Sequence, residues 1–234
     1  MSLGTRRVLL TGAGGFVGAR VDFADRAFPR GFLRGASEDD IRAFVAEAAP
    51  DVILHTAAMS DVAACEADPD GSYRANVELP VMLARAAAEV GAKLVAFGSD
   101  QVYTGLPGIG PFDETVDVHP TCVYGRHKRE AEERVLDLLP SAVFLRATWM
   151  YDLPSYGLPT RPNFLTNLLF STLRHRPVSL SVREYRGITY VRDVTARLPA
   201  AADLPGGVYN FGSENDKTTY KTAEILCAHA GLFC

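Results

Sequence analysis

Cysteine is scarce and scattered: Cys65, Cys122, Cys227 and Cys234 are the only four, and no two stand in a C-x-x-C pair. That spacing excludes a zinc ribbon, argues against a disulfide framework and fits a reducing cytoplasm. No window approaches the roughly 20 apolar residues that a membrane span needs. The opening MSLGTRRVLLTG runs straight into an apolar strand-like run, without the apolar core of a signal peptide. Positive charge is also in short supply, 24 Lys and Arg against 28 Asp and Glu, and no basic stretch offers nucleic acid a footprint. Only one tryptophan is present, Trp149. What remains is ordinary for a soluble globular chain: 47% hydrophobic and 22% charged residues over 234 positions, enough for one large domain or a domain with a smaller appendage.

The first half alternates short apolar runs with helical patterns. RVLLT (7–11), DVILHTA (51–57), KLVAFGSD (93–100) and AVFLRATWMY (142–151) read as buried strands. Ser37 with Asp40 three residues on forms a capping box, before Ile41, Phe44, Val45 and Ala48 on one helical face. A second helix over 71–91 is stopped by Gly91 and kinked by Pro80, and a third covers 121–139. This alternation predicts an α/β, Rossmann-type doubly wound parallel sheet. After residue 151 a Pro/Gly-rich loop, an amphipathic helix (163–176) and short strands VSLSV, GITYV and GVYNFG follow. Residues 1–150 are therefore read as a dinucleotide-binding domain and 151–234 as a smaller substrate-binding lobe interleaved with it. Between Gly18 and Ser37 the chain is too short for an ordinary helix, strand and two loops, so this stretch is expected to be abbreviated, as is the end of the chain.

LLTGAGGFVGAR carries Gly12, Gly15 and Gly18 directly after a strand. Glycines at this spacing permit the tight turn, the approach of a pyrophosphate and close helix–strand packing, with a helix N-terminus expected behind them. Glu38 and Asp39 stand at the distance expected of an acidic ribose ligand but within the next helix cap. Arg30 and Arg34 lie where a 2′-phosphate would be met, which favours NADP(H) over NAD(H). Further along, Tyr124 and Lys128 are one helical turn apart. A phenol is a sluggish acid near neutrality unless a cation lowers its pKa, and an ammonium one turn away is expected to do that. Ser99, at a strand end, is the candidate partner for a carbonyl oxygen.

Together these motifs resemble an extended short-chain dehydrogenase/reductase. Within that superfamily SDQVYTG, YGRHKREAE, FLRATWMY, YRGITYVRDV and PNFLTNLL are most similar to the dTDP-4-dehydrorhamnose reductase family, over nearly the whole chain. The resemblance implies Ser99, Tyr124 and Lys128 as catalytic residues, with Tyr124 the general acid and Lys128 holding the nicotinamide ribose. It implies Gly12, Gly15, Phe16, Val17, Gly18, Ala57, Ala58, Met59, Asn76 and Phe97 around the cofactor, and Asp100 and Trp149 beside Ser99 on a nucleotide-sugar substrate. It also implies a homodimer through helices 73–90 and 124–138. Asp100-Gln101 lacks the Asp-Glu pair of the dehydratases, since an amide cannot exchange a proton. Gln101 also departs from the aromatic usual in the reductases, and SDVAACEADPD lacks their acidic and basic pair. An epimerase and a non-catalytic NADP-binding relative, like the β subunit of methionine adenosyltransferase, are the alternatives. Arg146 is expected to pair with a structural carboxylate, His119 and His127 to lie at the surface, and Asp193 to cap a helix.

Overall fold

In the computed structural model, residues 6–108 and 110–231 are described. A parallel sheet of six strands forms the core, in chain order β1 (Val8–Thr11), β2 (Arg26–Ala27), β3 (Val52–His55), β4 (Lys93–Ser99), β5 (Val143–Ala147) and, later, β8 (Gly207–Phe211). The spatial order is β2-β1-β3-β4-β5-β8. Strands β1, β3 and β5 are buried along their whole length, as a parallel sheet covered on both faces requires.

The helices are α1 (Phe32–Gly35), α2 (Glu38–Ala48), α3 (Val62–Ala67), α4 (Pro69–Tyr73), α5 (Leu79–Val90), α6 (Val123–Leu138), α7 (Phe164–Leu173), α8 (Val191–Ala201) and α9 (Thr219–His229). One face of the sheet packs Leu9, Ile53, Leu94 and Phe144 against Ile41 and Val45 of α2, Leu83 and Ala87 of α5, and Val135 of α6. The other sets Val8, Leu54, Val95 and Leu145 against Val194 and Leu198 of α8. The capping box forms: Ser37 Oγ accepts from Asp40 N, and Asp40 returns a bond to Ser37 N. Gly91 ends α5 at φ 70°, where a side chain would be strained.

Four expectations need correction. The helix meant to follow the glycines is only a 3₁₀ turn, Gly18–Arg20. The chain then returns extended to the two-residue β2, and Asp25 closes the gap by accepting from Val8 N through its carboxylate at 2.7 Å. Residues 142–151 are not one strand. They break at Thr148, whose side chain is closely packed by the backbone at Gly187 and Gly212: a Cβ on either would come within 2.9 and 2.2 Å of it. Strand β6 (Trp149–Tyr151) leaves the main sheet to pair with β7 (Ile188–Tyr190) in a second, two-stranded sheet. VSLSV is irregular rather than a strand. GVYNFG, read with the smaller lobe, supplies β8 at the edge of the main sheet.

The expected kink at Pro80 takes a different form. A π turn over Arg74–Glu78 runs directly into α5 with Glu78 and Leu79 helical, so Pro80 lies inside continuous helix, next to a widened turn. Asn76 sits in the π turn, and such widened turns recur at functional sites.

Candidate active site

The glycine turn is built by close approach. Gly12 has φ 71°, and a Cβ there would stand 2.7 Å from Ala57 N. A Cβ on Gly18 would stand 2.1 Å from the Gly12 carbonyl oxygen, whereas one on Gly14 would meet nothing within 4 Å. The turn is therefore tight toward β3 and open on its outer side. Gly15 N donates to Gly12 O at 2.8 Å, while the N–H groups of Phe16 and Val17 find no acceptor among the described residues. Free amides on an open turn suit a pyrophosphate. Beneath it, Thr11 Oγ1 accepts from Thr56 N and Ala57 N at 3.1 and 3.2 Å and lies 2.8 Å from His55 Nδ1. With both lone pairs taken, the hydroxyl must donate to His55, which fixes a neutral imidazole with its proton on Nε2. Burial, with the Lys128 charge adding to it, pulls His55 down to about 3.

Ser99 ends β4 and Tyr124 opens α6, at the C-terminal edge of the sheet where ligands of such folds bind. Cys122 caps α6 by accepting from Gly125 N at 3.3 Å, and Glu66 accepts from Val123 N at 2.7 Å. Ser99 and Tyr124 are both buried, and the Ser99 hydroxyl accepts from Gln101 N at 3.2 Å. Burial raises the phenol above its ordinary pKa; the nearby Ser99 hydroxyl opposes this and the Asp100 charge adds to it. The direction is opposite to the one expected from Lys128. That ammonium donates to Phe97 O at 2.8 Å and sits 5.8 Å from the Tyr124 ring centroid. Burial brings Lys128 down to about 8, against the opposing carboxylate of Glu132.

Asn76 donates to Met59 O at 2.9 Å and Ser72 Oγ at 3.1 Å, and its buried Oδ1 has no partner among the described residues. A buried unpaired acceptor is costly. Together with the free amides of the glycine turn, it fits a site that a dinucleotide and ordered water complete. Phe97 contributes its carbonyl, while its ring lies in the core facing α8. Ala57 and Met59 are half-buried just beyond β3.

On the substrate side, Asp100 is not free. Arg186 grips it at 2.7 Å through Nη2 and 3.0 Å through Nε, and stacks 4.0 Å above the Trp149 ring. With its amide oxygen turned to Arg186, Gln101 accepts at 2.7 and 2.9 Å and its nitrogen donates to Thr104. Trp149 is not core: it is half-buried, stacks on Phe164 at 5.9 Å and lines a cavity of ≈ 400 Å³ with Pro162, Asn163, Asn167 and Leu180. Sequence reasoning missed Arg186; its one local signal is an arginine preceding Gly187 in the segment that crosses the strand ends.

The remaining candidates divide. Arg146 meets its structural carboxylate, Glu132, at 2.8 Å, both buried, and also donates to Tyr103. Arg30 and Arg34 are exposed, without an ion-pair partner among the described residues. Glu38 is held by Arg85 at 2.7 Å. His119 is exposed, but His127 is half-buried, bonded to Ser72 at 2.9 Å and edge-on to Tyr73. Asp193 stands in the first turn of α8, whose cap has no side-chain bond. Cys65 and Cys122 are free thiols, whereas Cys227 is disulfide-bonded, against expectation; Cys234 lies outside the described residues.

The family described as RmlD substrate binding domain matches residues 6–233. The chain belongs to this family. Among its relatives, the dTDP-4-dehydrorhamnose reductase of Mycobacterium tuberculosis (strain ATCC 25618 / H37Rv) is 31% identical over 237 residues, 97% of this chain and 76% of that protein. The methionine adenosyltransferase 2 subunit beta of Xenopus laevis is 29% identical over 252 residues, 98% and 72% of the two chains. The crystal structure of the dTDP-4-dehydrorhamnose reductase of Bacillus anthracis str. Ames, in complex with NADP, superposes with a TM-score of 0.85 at 24% identity, covering 97% of this chain and 82% of that one. The chain is thus similar both to proteins named as reductases and to a protein named as a subunit of another enzyme. No helix among the described residues is long and apolar enough to cross a membrane.

Proposed function

We infer that this RmlD-family chain reduces a 4-keto group on a nucleotide-activated deoxysugar, using NADP(H) in preference to NAD(H). The observation that carries the reading is the burial of Ser99, Tyr124 and Lys128 together at the end of β4 and the start of α6, with the Lys128 ammonium 5.8 Å from the Tyr124 ring centroid. The dinucleotide supplies a hydride to the carbonyl carbon. The chain supplies the rest. The glycine turn with the amides of Phe16 and Val17 holds the pyrophosphate, and Ala57, Ala58, Met59 and the Asn76 neighbourhood flank the nicotinamide half. Arg30 and Arg34 meet the 2′-phosphate, and Lys128 donates to the ribose hydroxyls while Phe97 O steadies it. Ser99 donates to the carbonyl oxygen and Tyr124, which burial keeps protonated, gives it the proton.

Residues 1–150 are assigned the dinucleotide, and the smaller lobe the nucleotide sugar between Asp100, Trp149 and Arg186. Arg186 puts a cation beside an aromatic face, chemistry suited to a diphosphate. The faces of 73–90 and 124–138 are assigned to a homodimer.

Incubation with NADPH and dTDP-4-keto-6-deoxy sugars, followed by loss of reduced-nicotinamide absorbance, tests the reading. Tyr124→Phe is expected to lower kcat by roughly 10²–10⁴-fold with cofactor affinity nearly unchanged. One observation favours the alternative of a non-catalytic binding subunit: Arg186 already satisfies Asp100 on both oxygens. Tight NADPH binding with no oxidation by any of the keto sugars would establish it.

A further inference from the structure

Arg20 and Asp152 form an ion pair at 2.6 Å with side chains 2% and 4% exposed, and neither belongs to the constellation around Tyr124. Arg20 follows the glycine turn. Besides Asp152 it donates to Phe16 O at 2.6 Å and to Pro159 O at 3.3 Å, and its guanidinium lies 4.5 Å from the Phe16 ring centroid. One buried cation therefore ties the backbone of the glycine turn to two points of the 152–162 loop. At its far end that loop leads into Asn163, whose Nδ2 donates to Asp152 O at 3.1 Å. Asn163 Oδ1 accepts from Thr166 N at 3.0 Å, capping α7, and Asn163 lines the ≈ 400 Å³ cavity beside Trp149. A second tie runs in parallel, from Arg161 to Ser60 Oγ at 2.8 Å, just beyond the segment 57–59.

We propose that Arg20 is a positioning residue that couples the two halves of the site: occupancy of the glycine turn by a dinucleotide orders, through Arg20, Asp152 and Asn163, the first turn of α7 and the cavity it lines. The physical reason is that a buried guanidinium is intolerant of partial satisfaction. Fixing Phe16 O fixes its donor, the donor fixes Asp152, and the backbone of Asp152 holds Asn163. By linkage, whatever binds the cavity must tighten the dinucleotide by the same factor. The proposal rests on the reading of the glycine turn as a dinucleotide site, and its test needs no knowledge of the sugar.

Amide hydrogen exchange is followed in the full chain with and without saturating NADPH, then NADH. In the unaltered protein the nucleotide should slow exchange in the glycine turn and also at Phe164, Leu165 and Thr166, the latter by a factor within the roughly 5–150-fold range usual for coupled sites. Arg20→Met alone strands a buried carboxylate and is expected to unfold the chain. The double variant Arg20→Met/Asp152→Leu removes both charges at similar volume and should keep the fold. In it, nucleotide should still slow the turn while α7 exchanges as in the ligand-free protein. Slowing of α7 to the same extent in the double variant overturns the clamp, as does slowing of the turn alone in the unaltered protein. No slowing of the turn by either nucleotide removes the dinucleotide reading, and the coupling with it.

Discussion

Replacing Lys128 by Met makes the cost of this site measurable. The amine is buried, 3% exposed, and binds its proton at about 8 instead of the ordinary 10.5. At about 1.4 kcal/mol per tenfold change in proton affinity, that gap corresponds to roughly 3 kcal/mol charged against the folded state wherever both forms carry the proton. Below pH 8 Lys128 is protonated in both the folded and the unfolded chain, so the full cost is present. Between pH 8 and 10.5 the unfolded chain holds more protons than the native one, and stability rises with pH. Lys128→Met removes this dependence but leaves Phe97 O without its donor, a loss of about 1–2 kcal/mol. The variant should therefore be more stable than the parent by about 1–2 kcal/mol at pH 7 and less stable by a similar amount near pH 10.5. The two curves cross between these limits. Urea unfolding at a series of pH values reads both curves, and taking their difference cancels Lys93, which burial also lowers. Parallel curves would refute the assignment of a buried, desolvated ammonium. A crossing, together with loss of NADPH binding in the more stable variant at pH 7, would show stability given up for function.

Other outcomes follow from neighbouring contacts. Because His55 is buried neutral and protonates only near 3, stability should fall as the pH drops from 6.5 toward 3, by up to about 5 kcal/mol; His55→Asn should flatten that limb in acid titrations followed by circular dichroism. Glu132→Gln or Arg146→Met alone breaks a buried pair and should cost about 3–5 kcal/mol, whereas Glu132→Leu/Arg146→Met should lie much nearer the parent in denaturant midpoint. Gly18→Ala forces a Cβ into the Gly12 carbonyl at 2.1 Å, whereas Gly14→Ala meets nothing. The first should lose well over 1 kcal/mol and the second should melt like the parent, with equal losses arguing against the tight inner face of the turn.

Much of the fold was legible because its signals are local. Apolar runs such as VILH, the Ser37–Asp40 cap and the αL stop at Gly91 each act within a few residues, and the structure forms all three. The Tyr124/Lys128 spacing was legible for the same reason, since a helix turn is set by the backbone alone. The break at Thr148 was not: the backbone packed against its side chain, at Gly187 and Gly212, comes from far along the chain. Nor was the direction of the Tyr124 pKa. The neighbouring cation can be read from the spacing, but burial depends on everything packed around the phenol, and burial prevails.

By itself, then, the sequence determined the parallel α/β class, the glycine turn and which residue types meet at the ends of the strands, since periodicity and turn chemistry act over a few residues. Only the tertiary structure decided that Arg186 occupies Asp100, that Arg20 reaches Asp152 across 132 positions and that Lys128 is desolvated. Those are pairings and burials between elements, and a charge has no partner or dielectric until the chain has closed around it.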